Sequence, residues 1–120
     1  MTYLNKDTKA QFTGVRVTEY KLPNFDDVIV RVKSQSMARM NRHAEAQTAG
    51  GERLKKDTLS LIAESIVDED EERVWTADEV NQLMKSDYML VKGLMEVVGR
   101  HNGGTDTEIE EMVGNLPETE

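Results

Sequence analysis

Cysteine is absent from the 120 residues. That excludes a disulfide framework and any thiolate metal site, and it fits a reducing cytoplasm. Long apolar runs are missing too. Nothing approaches the roughly 20 consecutive apolar residues of a membrane span. The start, Met1-Thr2-Tyr3-Leu4-Asn5-Lys6, lacks the apolar stretch of a signal peptide. A soluble cytoplasmic protein with no membrane partner is the expectation.

Positive charge is also scarce. Fifteen Lys and Arg stand against 23 Asp and Glu, a formal net charge of −8. Nucleic-acid binding rests largely on Lys and Arg that neutralise phosphates. Here Arg31, Lys33, Arg39, Arg42, Arg53, Lys55 and Lys56 scatter through the first half while the second half holds most of the acid. The balance argues against DNA or RNA and keeps a binding protein soluble.

What is present suffices for one domain. At this length folding buries about two-thirds of the unfolded chain's surface. Apolar content of 38% against 32% charged residues predicts loose ends around a folded middle. Residues 1–13 are polar and aperiodic and read as a flexible arm, residues 14–116 as a single domain, and 117–120 as a flexible tail.

Val15 and Val17 alternate with Arg16 and Thr18 and lead through Tyr20 to Leu22. After Pro23-Asn24-Phe25-Asp26-Asp27, Val28, Val30 and Val32 alternate with Ile29, Arg31 and Lys33. Period-two alternation of β-branched residues marks half-buried strands, so residues 15–33 read as an antiparallel hairpin. A lone hairpin is unstable in water and needs helices over its valine face.

Such helices follow. Ser34 or Ser36 caps one running to about Thr48, with Met37, Met40 and Ala44 on one face and Gly50-Gly51 as its stop. The next, about 52–66, carries Leu59, Ile62, Ala63 and Ile66 at i, i+3, i+4, i+7. Val67 and Val74-Trp75 read as strand-like arms on the acidic turn Asp68-Glu69-Asp70-Glu71-Glu72. Thr76-Ala77-Asp78-Glu79 is a capping box that opens a short helix to about Met84. Ser86 caps a helix to about Arg100 with Val91, Leu94, Met95 and Val98 along one side. Thr105-Asp106-Thr107-Glu108 is a second box, ahead of Ile109, Met112, Val113 and Leu116; Gly114 and Pro117 end that helix. The fold class is α+β: an N-terminal antiparallel β-hairpin packed against several short α-helices.

Chemistry is harder to find. His43, beside Arg42 and Glu45, and His101, beside Asn102-Gly103, read as structural surface residues without ligand-spaced companions. No HxxxH, no GxSxG and no Gly-rich phosphate loop occurs. Counted from Asp68 as a calcium loop, the sixth position is Arg73 where glycine is required, so the acidic run reads as a solvated turn. No catalytic group, cofactor or metal is expected. Methionine is the more suggestive signal, with seven in the chain. Core filling accounts for their places on apolar stripes, yet methionine is also over-used on surfaces that adapt to partners. Leu90 and Val97, off the stripe, keep a partner groove open; Phe25, Tyr88 and Trp75 read as core or rim. Composition and pattern stop at a small α+β binding domain.

The order of segments goes further. A β segment, Val15 to Leu22, leads through Pro23 to Val28-Ile29-Val30-Arg31-Val32-Lys33 and a serine-led helix, Ser36-Met37-Ala38-Arg39. Leu61-Ile62-Ala63-Glu64-Ser65-Ile66-Val67-Asp68 and Val74-Trp75-Thr76-Ala77-Asp78-Glu79-Val80 follow. A final helix pair is joined by Arg100-His101-Asn102-Gly103 and spans Thr105 to Leu116. This layout over about 15–116 resembles the tail assembly chaperones of long-tailed bacteriophages. The resemblance implies a host-cytoplasmic protein that binds the tape-measure protein before the tail tube forms around it, self-associates into an oligomer, and leaves before the virion is complete. It implies a longer frameshifted form that recruits the major tail tube protein. On this reading Met37, Met40, Leu90, Met95 and the 88–98 helix supply client or self-association surface. A tail-completion or head–tail connector protein, and a DNA-bound regulator, remain the rival classes.

Overall fold

The computed structural model describes residues 1–114 and 116. Strands β1 (Val17–Lys21) and β2 (Ile29–Lys33) pair antiparallel, with Tyr20 opposite Val30 and Thr18 opposite Val32. The turn closes through the Leu22 amide donating to the Val28 carbonyl at 2.9 Å. Asn24 and Asp27 take positive φ values of 69° and 61°, which short Asx side chains tolerate. The expected hairpin is present but shorter at both ends. Val15 and Val28 lie outside the strands and are exposed.

Helix α1 (Ala10–Thr13) precedes the hairpin in the chain, and α2 (Met37–Ala49) and α3 (Gly51–Ser65) follow it. A two-residue strand β3 (Ile66–Val67) joins the far side of β2, giving a three-stranded antiparallel sheet in the order β1-β2-β3. Ile66 was expected at a helix end and instead starts this strand. Val67 also bridges Arg73, so the arm expected at Val67 is present, whereas its partner is Arg73 and the expected arm Val74-Trp75 is a bend. The turn of the acidic run is held by the Asp68 carboxylate, which accepts from the amides of Asp70 at 2.8 Å and Glu72 at 3.0 Å. That carboxylate is spent on backbone, which leaves the run a turn.

A 3₁₀ turn (Ala77–Glu79) leads into α4 (Val80–Met84), and α5 (Tyr88–His101) and α6 (Asp106–Gly114) complete the chain. The Glu79 carboxylate accepts from the Thr76 amide at 3.1 Å, and those hydrogen bonds from Thr76 hold the Glu79 carboxyl below its usual value. Ser36 caps α2, accepting from the Arg39 amide at 3.1 Å, and Thr105 accepts from the Glu108 amide at 3.2 Å. The cap of α5 is Asp87, whose side chain accepts from the Met89 amide; Ser86 donates back to the Gln82 carbonyl instead. Gly50 and Gly51 both have positive φ, 65° and 58°, and let α2 fold back on α3 within two residues.

Leu61, Ile62, Ile66, Leu94, Met95 and Val98 are all fully buried, and with Val30, Val32 and Leu83 they make one core between sheet, α3 and α5. Each such side chain contributes roughly 1.5–3 kcal/mol by leaving water. Helix α5 is buried on more than one side. Gly93 lets it approach the hairpin turn, where an added Cβ would lie 3.2 Å from the Pro23 carbonyl. Gly99 does the same for α6, with Ile109 3.0 Å from such a Cβ. The 1–13 arm is not wholly irregular: Asn5 accepts from the amides of Asp7 and Thr8, and α1 adds one turn that buries none of its residues. The tail expected at 117–120, and the role given to Pro117, fall outside the described residues.

Candidate functional site

The four residues singled out from sequence do not form one surface. Met37, at the start of α2, is 80% exposed. Met40 is partly buried against the core, and Leu90 likewise. Met95 is 0% exposed. It is a core residue, and the expectation that it meets a partner is corrected. Leu90, expected off the stripe, is a rim residue, whereas Val97 is buried, because α5 packs the sheet on one side and α6 on another.

The inner face of α2 is also not the one expected. Its buried residues are Arg39, His43 and Ala46, while Met37 and Ala44 are exposed and Met40 is only partly buried against the core. Arg39 and His43 have side chains only 5% exposed, and both turn toward Asp57 of α3. Arg39 places Nη2 3.1 Å from Asp57 Oδ1, and its Nε donates to both Glu64 oxygens at 3.0 and 3.1 Å. His43 Nδ1 donates to Asp57 Oδ2 at 2.7 Å. Arg42 reaches Glu64 from the solvent side at 3.5 Å. Burial acts to raise the Asp57 pKa; the hydrogen bonds and charges of His43 and Arg39 outweigh it and hold the carboxyl below its ordinary value. His43 is thus buried rather than a surface residue. Its partner carboxylate is already engaged by a guanidinium, the arrangement of a clamp between helices. The spacing Arg39, His43, Ala46 against Asp57, Glu64 was present in the sequence as complementary charge at helical periods.

His101 is buried as well. Its Nε2 lies 3.0 Å from the Arg16 carbonyl, which only accepts, so Nε2 carries the proton. Nδ1 then accepts from the Tyr20 hydroxyl at 2.9 Å. Arg16 Nη2 returns a bond to the His101 carbonyl at 2.7 Å. Gln35 completes the stitching: its amide donates to Asn102 and its side chain to Ser65. Both histidines are buried and hydrogen-bonded between elements, which a view of neighbouring residues did not reveal.

Among the described residues, two apolar surfaces lie open to solvent on the folded body, apart from the exposed Tyr3, Leu4 and Phe12 of the arm. One is the corner where α4 meets α5, with Met84, Tyr88 and Met89 all exposed. The other is a groove of about 290 Å³ at the turn end of the sheet. Val28, Ile29, Val74, Trp75 and Leu90 line it, and Asp68 and Glu69 form its acidic side. Pairing explains the opening: β3 stops after two residues, so among the described residues β2 has no strand partner on that side past Arg31, back to Ile29. Among the described residues no group of three or more His, Cys, Asp or Glu side chains could hold a metal ion. No described helix is long and apolar enough to cross a membrane. Compared with known protein families, curated proteins and solved structures, the chain matches none.

Proposed function

We propose that this protein is a binding protein of the phage tail assembly chaperone type, which holds the apolar helical stretches of a tape-measure protein soluble before the tail tube closes around them. The observation that carries the reading is the α4–α5 corner. Within residues 84–89, Met84, Tyr88 and Met89 present three exposed large apolar side chains. Methionine adapts its shape to varied partners, and an amphipathic helical client offers apolar anchors at i, i+3 and i+4 for such a surface. Many copies along one long client gain avidity from individually weak contacts. The segment order resembling the tail chaperones, and a strongly acidic exterior, support the same reading. The tube protein joins through a longer frameshifted form.

The test is co-expression with the tape-measure protein of the same phage. The parent chain is expected to keep that client soluble and to elute with it. Met84→Glu with Met89→Glu is expected to remove the soluble complex while the circular dichroism and melting of the purified chain stay unchanged. An insoluble client with the parent chain and with the longer form would overturn the reading. Recovery of the chain from purified virions would favour a connector or tail-completion protein instead.

A further inference from the structure

The groove at the turn end of the sheet has the shape of a missing strand. In the β1–β2 ladder the Leu22 amide donates to the Val28 carbonyl, and the Ser34 amide to the Arg16 carbonyl. Antiparallel bonding alternates along a strand. Val28, Val30 and Val32 therefore spend their backbone groups on β1, while Ile29 and Arg31 turn theirs the other way. Arg31 meets Val67 of β3 there. Ile29 meets no strand, because the chain turns away at Asp68, whose amide donates to the Glu72 carbonyl at 2.8 Å. The open edge at Ile29 borders apolar side chains of Val28, Val74, Trp75 and Leu90. Its rim is acidic. Asp68 and Glu69 line it, Glu71 and Glu72 follow them, and Asp26-Asp27 immediately precede Val28. The nearby cations are engaged or turned aside. Arg31 is held by Glu19 at 3.0 Å and Glu71 at 3.9 Å. Arg73 Nε donates to the Ala63 and Trp75 carbonyls at 3.2 and 3.1 Å, and Lys21 lies beyond Ile29 on the β1 side.

We propose that this groove takes a short, extended, basic segment of a different protein, which adds a strand to β2 at Ile29 beyond the end of β3. Free backbone at a sheet edge recognises extended backbone, and pockets beside it select alternate side chains. An antiparallel occupant gives Ile29 two hydrogen bonds, one to its amide and one to its carbonyl. Side chains of a strand alternate between faces. The inward ones of the occupant are apolar and pack against Leu90 and Val74. The outward ones are Lys or Arg, drawn by Glu69 and the Asp26-Asp27 pair. A helix has already used its backbone groups internally, so this occupant differs from the helical client assigned to the α4–α5 corner. That corner takes no part, and the two readings stand or fall separately.

Trp75 is the only tryptophan of the chain and lines the groove, so its emission reports occupancy. Selection from a library of random heptapeptides on the immobilised full chain is expected to enrich sequences that alternate Val or Ile with Lys or Arg. An enriched peptide without tryptophan should shift Trp75 emission on titration, with a Kd that rises at 1 M salt. Ile29→Pro removes the outward amide while sparing the bonds to β1, and should weaken binding about tenfold. Ile29→Val keeps that amide and should bind like the parent. Glu69→Lys, on the exposed turn, should weaken binding about threefold, and it serves alone if circular dichroism shows Ile29→Pro unfolded. No enrichment, enrichment of acidic or amphipathic helical sequences, or parent-like binding by folded Ile29→Pro and by Glu69→Lys overturns the proposal. Binding that appears only in Leu4→Asp with Phe12→Asp would give the groove to the arm of this chain and overturn it too.

Discussion

The two faces of α3 hold the molecule together by different physics. On one side Leu59, Ile62 and Ile66, the last just past its end, lie in the apolar core against α5 and β2. On the other, Asp57 and Glu64 grip Arg39, Arg42 and His43 of α2. The apolar seam is non-directional and asks only for volume and shape. The charged seam is directional and worth little in net stability, because desolvation offsets most of the attraction. It does fix how α2 sits. A helix with exposed Met37 and Ala44 on its far side would otherwise be free to roll its apolar residues inward.

The largest expected effect lies on the apolar side. Leu61→Ala is expected to cost about 4 kcal/mol, as a transfer loss plus an unfilled cavity, read as a drop in the urea midpoint. Asp57→Ala should cost less, about 2 kcal/mol, because Arg39 keeps Glu64 while buried His43 loses its acceptor. Replacing the whole cluster with Arg39→Met, His43→Leu and Asp57→Leu should recover most of that loss. If the triple variant is as unstable as Asp57→Ala, the charged seam contributes net stability and the comparison fails. The smallest effect is on pH dependence. A carboxyl held below its ordinary value contributes stability that is present above about pH 4 and is lost as the pH falls through its depressed folded value. Asp57→Asn should therefore flatten part of the acid slope of thermal melting, while Leu61→Ala shifts the whole curve without changing that slope.

The apolar half was legible in the sequence and the charged half was not. The alternation of Val30 and Val32 and the stripe Leu59-Ile62-Ile66 each fit one period and one face, so strand, helix and core followed. Ser36 and the Thr105-led box marked helix starts because a cap acts within three residues. Arg39 and His43 were hidden by the rule that charged residues face water. It fails where two helices offer opposite charges at matched spacing, here 14 residues apart for His43 and Asp57. Met95 misled for the opposite reason. Methionine serves cores and partner surfaces alike, and only the packing of α5 against the sheet decides between them. Only half of β3 was legible, Val67 as a strand-like arm, while Ile66 was given to the preceding helix, because two residues carry no period of their own.

The stitch between Arg16 and His101 also orders events in time. The two residues stand 85 apart in the chain. A ribosome adding about 5–20 residues per second needs about 4–17 seconds to pass from one to the other. Through that interval Tyr20 has no imidazole to bond and the valine face of the hairpin has no α5 to cover it. The first elements made are therefore the last to be secured, and every newly made copy spends its synthesis with its N-terminal strands available to whatever lies nearby.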